Sequence, residues 1–375
     1  MNMHVLKKDY NFSSGQMDAI AIGRDLVKRH LHGEDSDTYK KYESFSKNPL
    51  TLEQHEMAFL GELKKSAYEK SGKDPEKITD MEAIKYSDWN TAMFSVMESV
   101  IDSLTTKNEI EDILTFVELR NLALGDSALV DIKNPNAYVF SKTGRGKKST
   151  FNQRRYGEDV TISPTPHQIT IAYNLKDIVS GRVEIGREMA RMVRGMRTAW
   201  LRELSTLIFS TTVNPINNKI ISTGSFSEST FRTFEQKISA YNGSRNTVVY
   251  GSRTALGNLL PDANLRYQLG QEYMDRGYIS TAYGTRAIEL YQAVTPESTP
   301  SGGQTNISLI LPENYVIIAS ADVQRPVILG LGGGVEITEE NERDTVTKDR
   351  VVTINQDYDL KLASQGIIGV FRTDT

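Results

Sequence analysis

The sequence predicts an α+β chain, and three observations predict it. The first third carries apolar residues at helical spacing between capping signals. The middle turns to short strand-like runs that feed one long two-faced helix. The last part alternates apolar and polar residues, as antiparallel strands with one wet face do.

Ser13 with Gln16 forms a capping-box pair, after which Met17, Ile20, Val27 and Leu31 recur at helical spacing until Gly33. Thr51 and Gln54 repeat the signal before Met57, Leu60, Leu63 and Ala67, and Gly72 supplies the stop. Trp89, Met93, Met97, Val100 and Leu104 mark a third helix, and Ile110, Ile113, Val117 and Leu119 suggest a short fourth. Polar stretches such as HGEDSDTYKK and KSGKDPEKITD separate them. Residues 1–122 therefore read as an extended helical arm, strung out rather than bundled.

From Gly125 the pattern becomes strand-like, with SALVDI and NAYVF leading to the tip SKTGRGKKSTFNQRRYG. Lys142, Arg145, Lys147, Lys148, Arg154 and Arg155 lie in that tip, with no acid before Glu158. Gly144 and Gly146 among serines and threonines predict a long mobile hairpin. DVTISPT and HQITIAY return the chain to a helix on which Ile185, Met189, Met192, Met196, Trp200 and Leu207 share one stripe. Arg187, Arg191, Arg194 and Arg202 fall on the other side, as a solvated face or as one that meets a polyanion. Spacing does not separate the two. Gly181, Gly186 and Gly195 each weaken a helix by about 1 kcal/mol relative to alanine, so packing must hold it, and a bend near Gly195 is expected.

Beyond Phe209 helix and strands mingle: TFRTFEQKISAY is helical, whereas NTVVYGS, AIELYQAV, NISLILP, NYVIIASAD and RPVILGL are strand-like. VIIA and VILGL lack alternation, which predicts strands covered on both faces. GVEIT and DYDLKLAS alternate cleanly, and the turn TEENERD between them holds Glu339, Glu340 and Glu342.

With 375 residues and 42.0 kDa the chain is long enough for two or three compact units. No run approaches the roughly 20 apolar residues that span a bilayer, and the first residues lack a signal-peptide core, so no membrane partner and cytoplasmic synthesis are expected. The absence of cysteine excludes disulfides, thiol nucleophiles and thiolate metal sites. A net charge of -4 and a pI near 5.9 argue against a dedicated nucleic-acid-binding protein. GRGKKST fails the phosphate-loop pattern at Ser141 and Lys148, and GLGGGV ends on Val335 where a dinucleotide fingerprint needs glycine. No GxSxG elbow occurs, and of five histidines only His30 and His32 in HLHGED lie together near acids, where an exposed helix end is the plainer account of a conceivable metal site. No cofactor, no metal and no catalytic residues are expected: the chain reads as a non-enzyme.

The order of these segments resembles the Hong Kong 97-type major capsid proteins of tailed double-stranded DNA bacteriophages, over essentially the whole chain. The resemblance implies an N-terminal arm at 1–122 and an E-loop hairpin at 125–172 that reaches a neighbouring subunit. It further implies a peripheral domain at 173–212 and 335–361 containing the spine helix 176–209, and an axial domain at 213–334 and 362–375. The implied function is self-assembly as hexamers and pentamers into an icosahedral shell around phage DNA, within a virion that also holds a portal and in some members scaffold or decoration proteins. In that setting Arg187, Arg191 and Arg194 are candidates for non-specific contact with packaged DNA. Lys147, Lys148, Arg154 and Arg155 are candidates to dock on Glu339, Glu340 and Glu342 of an adjacent subunit. An encapsulin-type compartment of the same fold, or a soluble DNA-binding enzyme, are the rival readings.

Overall fold

A computed structural model of the chain describes residues 14–32, 51–104, 117–132, 158–173, 175–209, 219–222, 226–244, 246–259, 275, 277–290, 292–295, 307–320, 327–340, 350–363 and 366–373. Helices α1 (Ser14–His32), α2 (Leu52–Ser71) and α3 (Ser87–Leu104) come first, then strands β1 (Val117–Leu122), β2 (Ala128–Ile132), β3 (Glu158–Ile162) and β4 (Thr165–Tyr173). The long α4 (Ile185–Phe209) leads to β5 (Lys219–Ser222), α5 (Glu228–Asn242) and β6 (Thr247–Gly251). The chain closes with β7 (Thr281–Ala282), β8 (Thr285–Glu289), β9 (Tyr315–Ser320), β10 (Val327–Glu340), β11 (Arg350–Leu362) and β12 (Ile368–Arg372). This is α+β architecture.

Two sheets are joined by α4. One has the order β1-β10-β11-β4, the other β5-β12-β9-β6-β8-β7, and β2 with β3 forms a separate two-stranded ribbon. The middle of α4 lies on the first sheet, where Trp200 meets Tyr358 edge to face with ring centroids 6.2 Å apart. Its C-terminal end reaches the second sheet, where Phe209 packs near Tyr315 and Ser205 donates to the Ile310 carbonyl at 3.0 Å. On the far face of the second sheet, Phe231, Phe234 and Ile238 of α5 form a separate core with Phe371. Gly369 of β12 makes that approach possible, since a Cβ there would sit 2.1 Å from Ile238.

The first helices do not lie strung out. Burial of Phe59, Leu63, Trp89, Met93, Val100, Ile185, Met189 and Met192 in one continuous core shows α1, α2 and α3 bundled against α4 and the first sheet. Sequence spacing missed this because the polar connectors are long enough to turn back. The capping box of Thr51 and Gln54 and the left-handed Gly72 bound α2 as expected, but its buried side holds His55, Phe59 and Leu63 while Met57 stays 66% exposed.

Three further expectations change. Val117 and Leu119 lie in strand β1, parallel to β10, not in a short helix; the pairing partner is some two hundred residues away and leaves no local signal. The spine is not one helix over 176–209: a short turn of helix, Leu175–Val179, ends at Gly181 (φ 75), and α4 then runs unbroken through Gly195. Finally, the expected boundary between 334 and 335 falls inside β10, whose fourteen residues form one strand. Gly332, Gly333 and Gly334 there make a register shift against β11, and Asp102 of α3 accepts from the Val335 N–H at 3.3 Å across it.

Candidate assembly surfaces

Of the spine arginines, Arg187, Arg191 and Arg194 meet different partners. Arg187 lies 3.6 Å from Glu184 and Arg191 2.6 Å from Glu188, both as exposed pairs one helical turn apart. Arg194 instead donates to the backbone carbonyls of His30 at 2.6 Å and Leu31 at 3.3 Å. A guanidinium at the C-terminal end of α1 meets the negative end of the helix dipole and satisfies carbonyls that lack an intrahelical donor. The row is thus partly neutralised within the chain.

The other end of this latch is built by α2. Glu56 accepts from the Gly186 N–H at 3.2 Å, placing a carboxylate at the N-terminus of α4, and its second oxygen meets His30 Nε2 at 2.9 Å. Beside it Arg29 donates to Nδ1 of His55 at 3.2 Å, while Asp25 stands 3.8 Å from the other ring nitrogen. Burial lowers the His55 pKa, with Asp25 opposing and Arg29 reinforcing. A neutral ring is what the Arg29 bond requires, because an imidazolium would turn an N–H toward the guanidinium. The histidines therefore belong to a polar knot between helices. His30 is not at an exposed helix end, and nothing in the local spacing pairs Arg29 with His55 or His30 with Glu56.

A buried lysine secures the opposite end of the spine. Lys219, 7% exposed at the start of β5, donates to the Ile208 carbonyl at 3.3 Å and sits 3.5 Å from that of Leu207. Burial lowers its pKa, yet the ammonium completes the last turn of α4 and ties it to the second sheet.

Lys147, Lys148, Arg154, Arg155 and Glu342 lie outside the described residues. Glu339 and Glu340 occupy the last two positions of β10, opposite Val352 and Val351 of β11. Among the described residues no group of three or more His, Asp or Glu is placed to hold a metal, and no helix is long and apolar enough to cross a membrane.

Residues 41–372 of the chain match a family model described as SPbeta prophage-derived putative capsid protein YonB. The chain belongs to this capsid protein family. No curated protein matches it. Among solved structures it is similar to the mature capsid of bacteriophage PhiM1, at 11% identity over 69% of this chain and 85% of that one, with a TM-score of 0.42. It is also similar to the capsid of a native GTA particle, at 9% identity over 70% and 90% with a TM-score of 0.47. A third similar structure is a virus-like particle from Pyrococcus furiosus, at 11% identity over 72% and 93% with a TM-score of 0.39. Likenesses at these scores carry no weight beside the family match.

Proposed function

We propose that this member of the capsid family is the major capsid protein of a tailed double-stranded DNA phage, with a Hong Kong 97-type fold, assembling as hexamers and pentamers into an icosahedral shell. The observation that carries the reading is the family match over residues 41–372, and the spine with its two sheets supports it. The role is structural, without catalysis: charge and packing do the work. The peripheral unit is the first sheet with α4, and the axial unit is the second sheet with α5. The chain resides in the virion after synthesis in the bacterial host, alongside a portal.

Arg187, Arg191 and Arg194 supply positive charge toward packaged DNA, with Arg194 also holding α1. Non-specific phosphate contact needs cations but no base reading, so partial pairing with Glu184 and Glu188 weakens it without abolishing it. Replacing Arg187 and Arg191 by Gln spares the α1 contact and isolates the DNA role. Particles carrying both changes should release their genomes at lower temperature and lower salt than the wild type. Unchanged genome retention would remove the DNA role.

A further inference from the structure

We infer that Asn242–Gly243 is a covalent modification site: a deamidation step that the native fold holds shut and that cannot be latched again once it has run. Nothing in it depends on the capsid reading.

The chain has one Asn–Gly step, and it lies at the C-terminal end of α5. Gly243 occupies the left-handed region (φ 64), where a side chain would be strained, and so ends the helix. The same lack of a side chain leaves its backbone nitrogen open to the neighbouring side-chain amide. In the reaction that nitrogen, having given up its proton, attacks Cγ of Asn242. The new N–Cγ bond closes a cyclic imide as the Cγ–Nδ2 bond breaks, and Nδ2 leaves as ammonia with the proton. Water then opens the imide at either carbonyl, giving aspartate or isoaspartate. Only water is consumed.

Both reacting groups are held. The Gly243 N–H donates to the Ala240 carbonyl at 3.3 Å and the Ser244 N–H to that of Ser239 at 3.2 Å, a paired closure of the helix end. The side-chain amide is fixed from the other side. Nδ2 donates to Ser320 Oγ at 2.9 Å and to the Ile367 carbonyl at 3.0 Å, while Oδ1 accepts from the Ile367 N–H at 2.7 Å. Asn242 thus pairs with Ile367 much as one strand residue pairs with another, immediately before β12 begins at Ile368. Gly366 permits the approach, since a Cβ there would stand 2.6 Å from Oδ1. Attack on Cγ requires Gly243 to leave Ala240, and the amide to leave Ile367 and Ser320. The turn before β12 must therefore come away from α5 first, which is a local unfolding of the second sheet, where β12 lies between β5 and β9.

The product does not fit the place the amide leaves. Aspartate puts an acceptor where Nδ2 donated, facing the Ile367 carbonyl, and isoaspartate lengthens the backbone by a carbon. Neither restores the pairing. A chain that folds promptly keeps its amide, whereas one that lingers open is marked covalently and re-docks the turn before β12 poorly.

Peptide mapping by mass spectrometry tests this on the full chain kept in mildly alkaline buffer with and without denaturant. In denaturant Asn242 should convert to aspartate and isoaspartate. In native buffer conversion should be about a hundredfold slower, because opening must break three hydrogen bonds to the amide as well as the helix closure. Equal rates in the two buffers would overturn the inference, as would an amide that survives intact in denaturant. Ser320→Ala removes one hold on Nδ2, so it should speed native conversion about fivefold and leave the rate in denaturant unchanged. An unaltered native rate would contradict the hold. Asn242→Asp stands in for the product. Its thermal midpoint should fall below that of the wild type near neutral pH, and the gap should narrow as the pH falls toward about 4, where the protonated acid donates to the Ile367 carbonyl again. A gap that does not change with pH would contradict the reason given for the step being one-way.

Discussion

Gly23 shows how one missing methyl group can fix the placement of a whole helix. A Cβ at that position would come within 2.4 Å of the Phe59 ring and 2.9 Å of Val100, both fully buried. Alanine would improve helix propensity by about 1 kcal/mol, but forcing a methyl into a filled core costs about 1–3 kcal/mol. The clash wins here because the atoms in the way belong to a rigid ring and a β-branched side chain, both buried. Gly23→Ala should therefore lower the thermal midpoint, although propensity alone predicts the reverse. Arg194 makes a second residue-scale case. Replacing it by Gln removes a cation from the C-terminal end of α1, worth about 1 kcal/mol, and the loss should shrink in high salt. Arg187→Gln, by contrast, breaks only an exposed pair and should change stability by no more than about 0.5 kcal/mol in thermal melts.

Among elements, the packing of α1 and α2 on α4 is coupled to pH through His55. An unfolded histidine titrates near 6.5, and the folded chain holds His55 below that value by burial. As the pH falls through 6.5, the unfolded chain takes up a proton that the folded chain refuses, so stability declines toward acid. Melts between about pH 7.5 and about pH 5 should show a smaller decline in His55→Gln, which keeps an acceptor for Arg29 while removing the titration; an equal decline would locate the acid sensitivity elsewhere. The elements also show what a sequence can disclose. The stripe of Ile185, Met189, Met192, Met196 and Trp200 was legible because a long helix repeats its period many times. The inward side of α2 was less so, since Met57 and Phe59 are both apolar and tertiary neighbours, Gly23 among them, make room for Phe59. In β10 the glycines at 332–334 resemble a turn locally, whereas pairing with β11 on both sides of the shift makes them part of one strand. The partners of Arg194 and Glu56 depend on chain reversal across the helical layer, which no local pattern encodes.

For the whole molecule, the helical layer, the spine and the first sheet share one continuous core that extends into the second sheet, while the far side of the second sheet has its own. The spine is held at both ends, by Glu56 at Gly186 and by Lys219 at Ile208. Exposed ion pairs at each contact contribute at most about 1 kcal/mol, but a closed shell repeats every contact many times and multiplies the gain. The central claim is that copies of this one chain close into such a shell. Electron microscopy of the purified chain tests it most directly: the account predicts closed, uniform shells built of ring-shaped clusters, and a field of separate 42.0 kDa monomers under every assembly condition would contradict it.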